Sequence, residues 1–506
     1  MVRTGGPTDV CLIIEGCYPY VAGGVSAWVD WLMRTQKNLT FSVVAITSGH
    51  EQRRPRYERP PNLLAQYDLR LNVPAPRRQW RLGGRRTCAT QSLLPVLSRF
   101  LSGGGLAEFR KLVGIFNAEA NELSLAELVQ SAEGFGVVRC MYETLMPHAS
   151  FLQFYWAWRA LCGGLFSTLK LGLPDAKVYH AISTGYAGLL AARATVETGR
   201  PALLTEHGIY TNERRMEIQM ADWIYDTVDK GLNVDDPRMD VRDLWIRTFE
   251  TYARTCYEAC SQITTLYRDN QELQVSLGAG SGRLTVIANG IDIEQFAALS
   301  AAPQGAPPTM ALIGRVVPIK DTRTFIAAAA AVRCQLPNLR ALVMGPTDED
   351  PAYADECREL VAELGLEGCV EFTGAVLIAH WLPKVHVVVL TSLSEAQPLV
   401  LLEAGAAGIP CVATNVGACR EIIEGAGEED DPREPGGFIT DLVSPQQVAD
   451  CVCKLLHSKA LRQRLGENLR RRVRRRYATC IAQGSYAKLY STFMRERAPL
   501  SAMEPA

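Results

Sequence analysis

Eleven short runs of nearly unbroken apolar residues, each closed by a turn residue, constrain this chain's fold more than any other feature: VCLIIEG, FSVVAIT, KVYHAIS, PALLTEHG, QITTLY, LTVIANG, TMALIGR, RALVMGP, CVEFTG, VHVVVLT and IPCVATN. A strand with one wet face alternates apolar and polar residues. Runs such as FSVVAIT do not alternate, so both of their faces must be covered. Helical stretches such as VSAWVDWLMR and TFIAAAAAVRC lie between them and supply the cover. Strand and helix in alternation imply α/β architecture with doubly wound parallel sheets.

At 506 residues the chain exceeds one compact core, and a prior of roughly 150 residues per domain leaves room for two large units. The segment Ala297 to Thr309, AALSAAPQGAPPT, has no apolar period and reads as the linker. The expected division is therefore 1–300, with an irregular helical insertion at about 72–178, then 301–475, and a helical segment 476–506 that returns to the first domain. Open parallel sheets bind ligands beyond the carboxyl ends of their strands, which places the expected site in a cleft between the two sheets.

Candidate site residues fall at those strand ends. In SLSEAQPLVLLEAGAAGIP, Glu395 and Glu403 stand eight apart around Gln397, Pro398 and Leu399. Pro398 suits the first helical position, which leaves the amides of Leu399, Val400 and Leu401 pointing out of the helix start. Unpaired amides and the positive helix end cradle a phosphate. Glu395 would then face a sugar and Glu403 would accept hydrogen bonds from a ribose. Arg315 and Lys320, five apart in GRVVPIK, suit a diphosphate, the arginine bidentate and the lysine a point charge. Gly23 and Gly24 in EGCYPYVAGGVSAW allow close backbone approach, though not as a GxGxxG fingerprint, which weakens NAD binding. His207 follows PALLTE, where it could bond a sugar hydroxyl or exchange a proton. Gly345, Gly417 and the turn Asn289, Gly290, Asp292 close further strand ends.

The remaining features exclude more than they assign. With 53 basic and 54 acidic residues, no global field favours nucleic acid. Fifteen cysteines without paired metal-ligand spacing read as reduced thiols of a cytosolic protein. The opening MVRTGGPTDV carries no apolar export signal, and the most apolar stretch is broken by Glu395, Pro398, Glu403 and Pro410 before it could span a bilayer. The aromatic run FLQFYWAW reads mainly as core, and RRRVRRR at Arg470–Arg476 as a solvated face, with membrane or partner contact as the alternative. Arg77, Arg78, Arg81, Arg85 and Arg86 form a basic loop.

Taken together, these residues resemble the retaining GT-B glycosyltransferases of family 4. Longer stretches, including TEHGIYTNERR, IGRVVPIKDTRTFI, GPTDEDP, SEAQPLVLLEA and NVGACREII, look like the Pel-type exopolysaccharide glycosyltransferases of that family. The resemblance implies two facing Rossmann-like domains, the first on the acceptor side and the second binding a nucleotide sugar. It implies a cytoplasmic hexosyltransferase at the inner membrane that moves a hexose from a UDP-sugar, UDP-glucose favoured, onto a growing polysaccharide beside membrane components of a synthesis complex, with no metal or other cofactor. It further implies that Arg315 and Lys320 hold the diphosphate, Glu403 the ribose, Glu395 the donor sugar, and His207 the sugar near the reacting carbon. Two departures stand out: Ala396-Gln397-Pro398 stiffens a turn that is Gly-Phe-Gly in many members, and glycine at 405 replaces a larger apolar residue, which loosens helix packing. The rival expectations are a sugar-nucleotide 2-epimerase on the same scaffold and a non-catalytic nucleotide-binding scaffold.

Overall fold

The computed structural model describes residues 7–48, 54–71, 87–118, 132–221, 224, 238–299, 305–425 and 434–495. The chain divides into two compact units. The first comprises Met1–Thr265, Gln271–Thr285 and Tyr486–Ala506, and the second Leu266–Asn270 and Val286–Ser485. The seam at Thr285 thus precedes the expected linker. The stretch that follows Val286 belongs to the second unit as far as Ser485, and Ile291, Ile293 and Phe296 share a core with Val388, Leu401 and Leu402.

The first sheet contains β1 (Thr8–Glu15), β2 (Phe41–Thr47), β3 (Leu63–Arg70), β4 (Ala176–Ala181), β5 (Ala202–Glu206), β6 (Gln262–Thr265) and β7 (Leu284–Val286). Its spatial order is β3-β2-β1-β4-β5-β6-β7. The second contains β8 (Thr309–Ile313), β9 (Arg340–Met344), β10 (Val370–Gly374), β11 (Val387–Leu390), β12 (Cys411–Thr414) and β13 (Gly437–Thr440), ordered β10-β9-β8-β11-β12-β13. The ladders of both sheets are parallel. All eleven apolar runs form strands, and β3 and β13 are additional.

The second sheet shows why its runs are unbroken. Met310, Val387 and Val389 face one core, which the helices Thr322–Gln335 and Pro445–His457 complete. Ala311, Val388 and Leu390 face the other, completed by Leu401 and Leu402 on one side and Leu469 and Val473 on another. The period of two along each strand feeds two cores, so no position remains for a polar residue.

Two expectations about surfaces need correction. Gly405 does not loosen packing: a Cβ there would lie 2.7 Å from Val473 and 2.8 Å from Leu469, so the glycine lets the helix Lys459–Arg476 come close. The run Arg470–Arg476 is only in part a solvated face. Arg472 is buried and donates to the carbonyls of Ile422, Ile423, Glu424 and Glu434, while Arg470 donates to Ala407 O. The aromatic run also divides: Phe154 and Trp158 are core residues, whereas Trp156 is 54% exposed. The basic loop at 77–86 lies outside the described residues. No described helix is long and apolar enough to cross a membrane.

Candidate functional site

In the second sheet the strand order reverses between β8 and β11, and the loops that leave these neighbours carry the candidate residues. Side chain and backbone sew the two loops together. Thr391 Oγ1 donates to the carbonyls of Lys320 (3.1 Å) and Asp321 (2.9 Å), and Leu393 N donates to Ile319 O at 2.8 Å. Lys320 Nζ then meets Glu395 Oε1 at 2.5 Å, and Ser392 Oγ donates to the same oxygen at 2.7 Å. The lysine and glutamate side chains are 23% and 13% exposed, so water screens their attraction only in part. Among the described residues no group reaches Glu395 Oε2, and two of the three Lys320 donors stay open to a ligand.

The helix Leu399–Ala406 starts beside this pair. Pro398 is its cap, one position earlier than expected, and Leu401 N donates to Pro398 O at 3.1 Å. Two amides therefore remain for an anion, those of Leu399 and Val400, where the sequence predicts three. Glu403 sits half-buried on the second turn. Burial raises its pKa, and among the described residues its carboxylate has no partner. Such a group favours hydroxyl donors.

Arg315 departs from expectation. Its guanidinium pairs with Glu349 of the loop after β9, both side chains about half exposed, and not with the Lys320 group. Gly345 serves packing: a Cβ there would fall 1.9 Å from Gly314 O, so only glycine lets the β8 and β9 loops touch. Gly417, at φ +50°, has the same role behind Glu395, whose carbonyl lies 2.1 Å from where a Cβ would be, and Ala418 N donates to Ala396 O at 2.8 Å.

Gln397 is visible in the sequence only as a departure. Its buried amide accepts from Asn289 N at 2.7 Å and donates to Asn289 O at 3.2 Å, fixing the Glu395 loop to the 289–292 turn. That turn is itself anchored: Ile291 N donates to Tyr477 O, Thr479 N donates to Ile291 O, and Asp292 caps a short helix at Glu294 N. Asn289, Gly290 and Asp292 thus shape the site through Gln397.

In the first unit, Gly23 caps and Gly24 opens the helix Gly24–Thr35, with nothing within 4 Å of either glycine's missing side chain. His207 follows β5 and lies edge-on to Trp28, with ring centroids 4.7 Å apart. Burial lowers its pKa to about 4, so the ring is neutral at pH 7, and its Nε2 has no protein partner among the described residues. A neutral ring has one N–H donor and one acceptor nitrogen, so it is not an imidazolium acid at that pH.

Its neighbour Glu206 is buried at the end of β5. Tyr257 Oη and Gln274 Nε2 donate to its Oε2 at 2.7 and 2.8 Å. Desolvation raises its pKa to about 7, against about 4.3 for an exposed glutamate. The folded form therefore holds the proton more tightly than the unfolded form. The resulting stabilisation is complete below about pH 4.3 and is lost as pH rises through about 7. Glu206→Gln, which keeps the shape without the charge, should raise stability at pH 8 by on the order of 2 kcal/mol and leave it nearly unchanged at pH 4.5. Urea unfolding at the two pH values measures the difference; equal shifts at both would show that Glu206 is ionised in the fold.

A family model described as "Domain of unknown function (DUF3492)" matches residues 8–281, and one described as "Glycosyl transferases group 1" matches residues 307–458. A D-inositol 3-phosphate glycosyltransferase of Nocardioides sp. is 28% identical over 208 residues, 37% of this chain and 44% of that protein. A glycogen synthase of Mycobacterium tuberculosis is 29% identical over 212 residues, 41% of this chain and 50% of that protein. The chain spans about half the length of the curated relatives it matches. Among solved structures, Anabaena HepE in complex with UDP superposes with a TM-score of 0.58 at 14% identity, covering 96% of this chain and 100% of that one. Sucrose-phosphate synthase from Thermosynechococcus elongatus gives 0.57 at 16% identity, over 96% and 99%. These similarities, with two all-parallel sheets, identify the fold as GT-B.

Proposed function

Since the chain belongs to the DUF3492 family and carries a group 1 glycosyl transferase domain behind that region, we propose that it is a retaining glycosyltransferase that moves a hexose from a UDP-sugar onto a growing exopolysaccharide of Pel type. The observation that carries this reading is the Lys320–Glu395 pair at the β8/β11 reversal, next to the open amides of Leu399 and Val400. A diphosphate laid on that helix start gains two N–H donors and the remaining Lys320 donors. A carboxylate beside it offers Oε2 to sugar hydroxyls, and Glu403 offers the same to a ribose.

In the proposed reaction the bond from sugar to diphosphate loosens toward an oxocarbenium-like state. Lys320 and the helix amides stabilise the charge that grows on the leaving diphosphate. Arg315 contributes to that stabilisation by exchanging Glu349 for a phosphate. His207, uncharged at pH 7, orients a hydroxyl; the leaving phosphate takes the acceptor's proton. The assignment of UDP is supported by the HepE complexes with UDP and with UDP-glucose, and UDP-glucose is our favoured donor. No metal or other cofactor is required by this scheme, and the acceptor polymer and membrane components of a synthesis complex are its proposed partners.

Calorimetric titration of the full chain with UDP, GDP and ADP, followed by turnover with the matching sugar nucleotides, tests the reading. UDP should bind tightest and UDP-glucose should turn over. A preference for GDP or ADP would overturn the donor assignment, and release of an epimer without UDP would make the protein an epimerase.

A further inference from the structure

The second unit holds a cavity of about 580 Å³ beyond the carboxyl ends of β8, β11 and β13, walled by Pro318, Asp321, Leu393, Val443 and Pro445. The helices Thr322–Gln335 and Pro351–Glu363 close it with Ala327, Tyr353 and Leu360. The first of these helices packs on the core of Met310 and Val389, so the cavity lies on the side of the sheet opposite to Leu401 and Leu402. Its volume is that of a small-molecule site.

Two independent observations single it out. Asp321 at φ 46° and Val443 at φ 50° are the only non-glycine residues in the left-handed region among the described residues, and both line this cavity. A β-branched side chain is costly there, and strain of this kind gathers at ligand and switch sites. Asp321 is also buried: its Oδ1 accepts from Thr324 N at 3.2 Å, while its Oδ2 has no partner among the described residues. A carboxylate oxygen in that state calls for a donor.

The rest of the lining decides which donor. Exposed Arg323 pairs with Glu356 at 3.7 Å, which leaves Asp321 as the charged group of the lining without an ion-pair partner among the described residues. A phosphate or carboxylate would meet that negative charge, and a sugar would press its hydroxyls on Pro318, Leu393, Val443 and Pro445. An ammonium brings three donors and the opposite charge, and an apolar body suits the walls. We propose that this cavity is an effector site for an amine with an apolar body, and that its occupant acts on Lys320 and Glu395. The route is short. Asp321 follows Lys320, Thr391 Oγ1 donates to the carbonyls of both, and Leu393, two residues before Glu395, donates its N–H to Ile319 O. The effect on turnover rests on the glycosyltransferase reading; binding of the amine does not.

Fluorescence titration of the full chain with dansylcadaverine, and with dansyl-6-aminohexanoate as its anionic counterpart of equal length, tests the site beside Asp321→Asn and Ala327→Leu. Asparagine keeps the helix cap and tolerates the left-handed backbone, and leucine adds bulk at a part-exposed wall position without touching the core. The wild type should bind the amine saturably and at least tenfold tighter than the carboxylate. Asp321→Asn should lose that preference, and Ala327→Leu should weaken the amine by roughly tenfold while leaving UDP affinity unchanged. With the cavity filled, UDP-sugar turnover should change at least twofold in the wild type and stay constant in Ala327→Leu. No saturation by the amine, equal affinity for the two probes, or unchanged binding in both variants would overturn the site, and turnover indifferent to the amine would overturn its action on Lys320 and Glu395. A wild type that turns over no UDP-sugar would refute the donor reading, while the probe titrations would still decide the site.

Discussion

Lys320→Ala and Glu395→Gln should each lower kcat/KM for UDP-sugar turnover by roughly 100- to 1,000-fold, the usual consequence of removing one preorganised charged group from a transition state. Each residue has two tasks. In the proposed reaction Lys320 neutralises the leaving diphosphate; through its 2.5 Å bond it also sets the position of Glu395. Glu395 holds the lysine in place, and in the proposed reaction its Oε2 serves the sugar. Removing either leaves the other part-buried without its main partner, with Ser392 as the remaining contact of the glutamate. The losses should therefore overlap: the double variant should be far less impaired than the product of the single effects. UDP release assays on the three variants, with UDP affinity measured alongside, separate binding from turnover. Lys320→Ala should weaken UDP binding, and Glu395→Gln should leave it nearly intact. Either single variant keeping more than about half of wild-type turnover would remove the pair from the chemistry.

How far the sequence discloses this arrangement depends on how many faces of an element are buried. Strands covered on both sides, such as β2 and β11, announce themselves as apolar runs. Edge strands do so less clearly. In β3 the residues Leu64 and Gln66 to Asp68 stand partly or fully exposed, and the sequence LLAQYDLR loses its signal to that water-facing side. β13 has four residues and begins at Gly437, whose role is to let Cys411 O approach. Site residues are legible where local chemistry decides them, as at Lys320 and Glu395 on adjacent loops. They are illegible where long-range pairing decides them. Arg315 has Glu349 within reach because β8 and β9 are neighbours, and Gln397 bonds Asn289 across a separation of 108 residues. Both partners are visible as motifs, but no spacing rule links them. Arg472 looks like one of six similar arginines, because burial depends on which side of its helix meets the end of another.

Arg472→Leu should destabilise the second unit by about 3–5 kcal/mol, the largest stability loss expected from any arginine in Arg470–Arg476. At the end of the helix Cys419–Ile423 the carbonyls of Arg420 and Glu421 accept from Glu424 N and Gly425 N and that of Ile423 from Gly436 N, which leaves acceptor capacity around Ile422, Ile423 and Glu424 for a side chain. Arg472 Nη1 donates to Ile423 O at 2.7 Å and Ile422 O at 3.3 Å, and Nη2 to Glu434 O at 2.9 Å and Glu424 O at 3.3 Å. With the side chain 4% exposed, leucine would fill the space and take the arginine's donors from the carbonyls of Ile422, Glu424 and Glu434, at a cost of about 1–3 kcal/mol each before local relaxation, while Ile423 O keeps the amide of Gly436 at 2.7 Å. The exposed neighbour Arg471, paired with Glu434 at the surface, should lose within about 1 kcal/mol on change to alanine. The consequence extends to the site. The short helix follows Gly417, whose backbone presses against the carbonyls of Glu395 and Ala396, so release of its far end loosens the support of the Glu395 loop. Arg472→Leu should accordingly lower turnover at temperatures where the protein remains folded, while Arg471→Ala should not. Urea unfolding followed by far-UV circular dichroism, with both variants measured beside the wild type, decides the matter: equal midpoints for the two variants would mean that water, and not Arg472, satisfies the helix end.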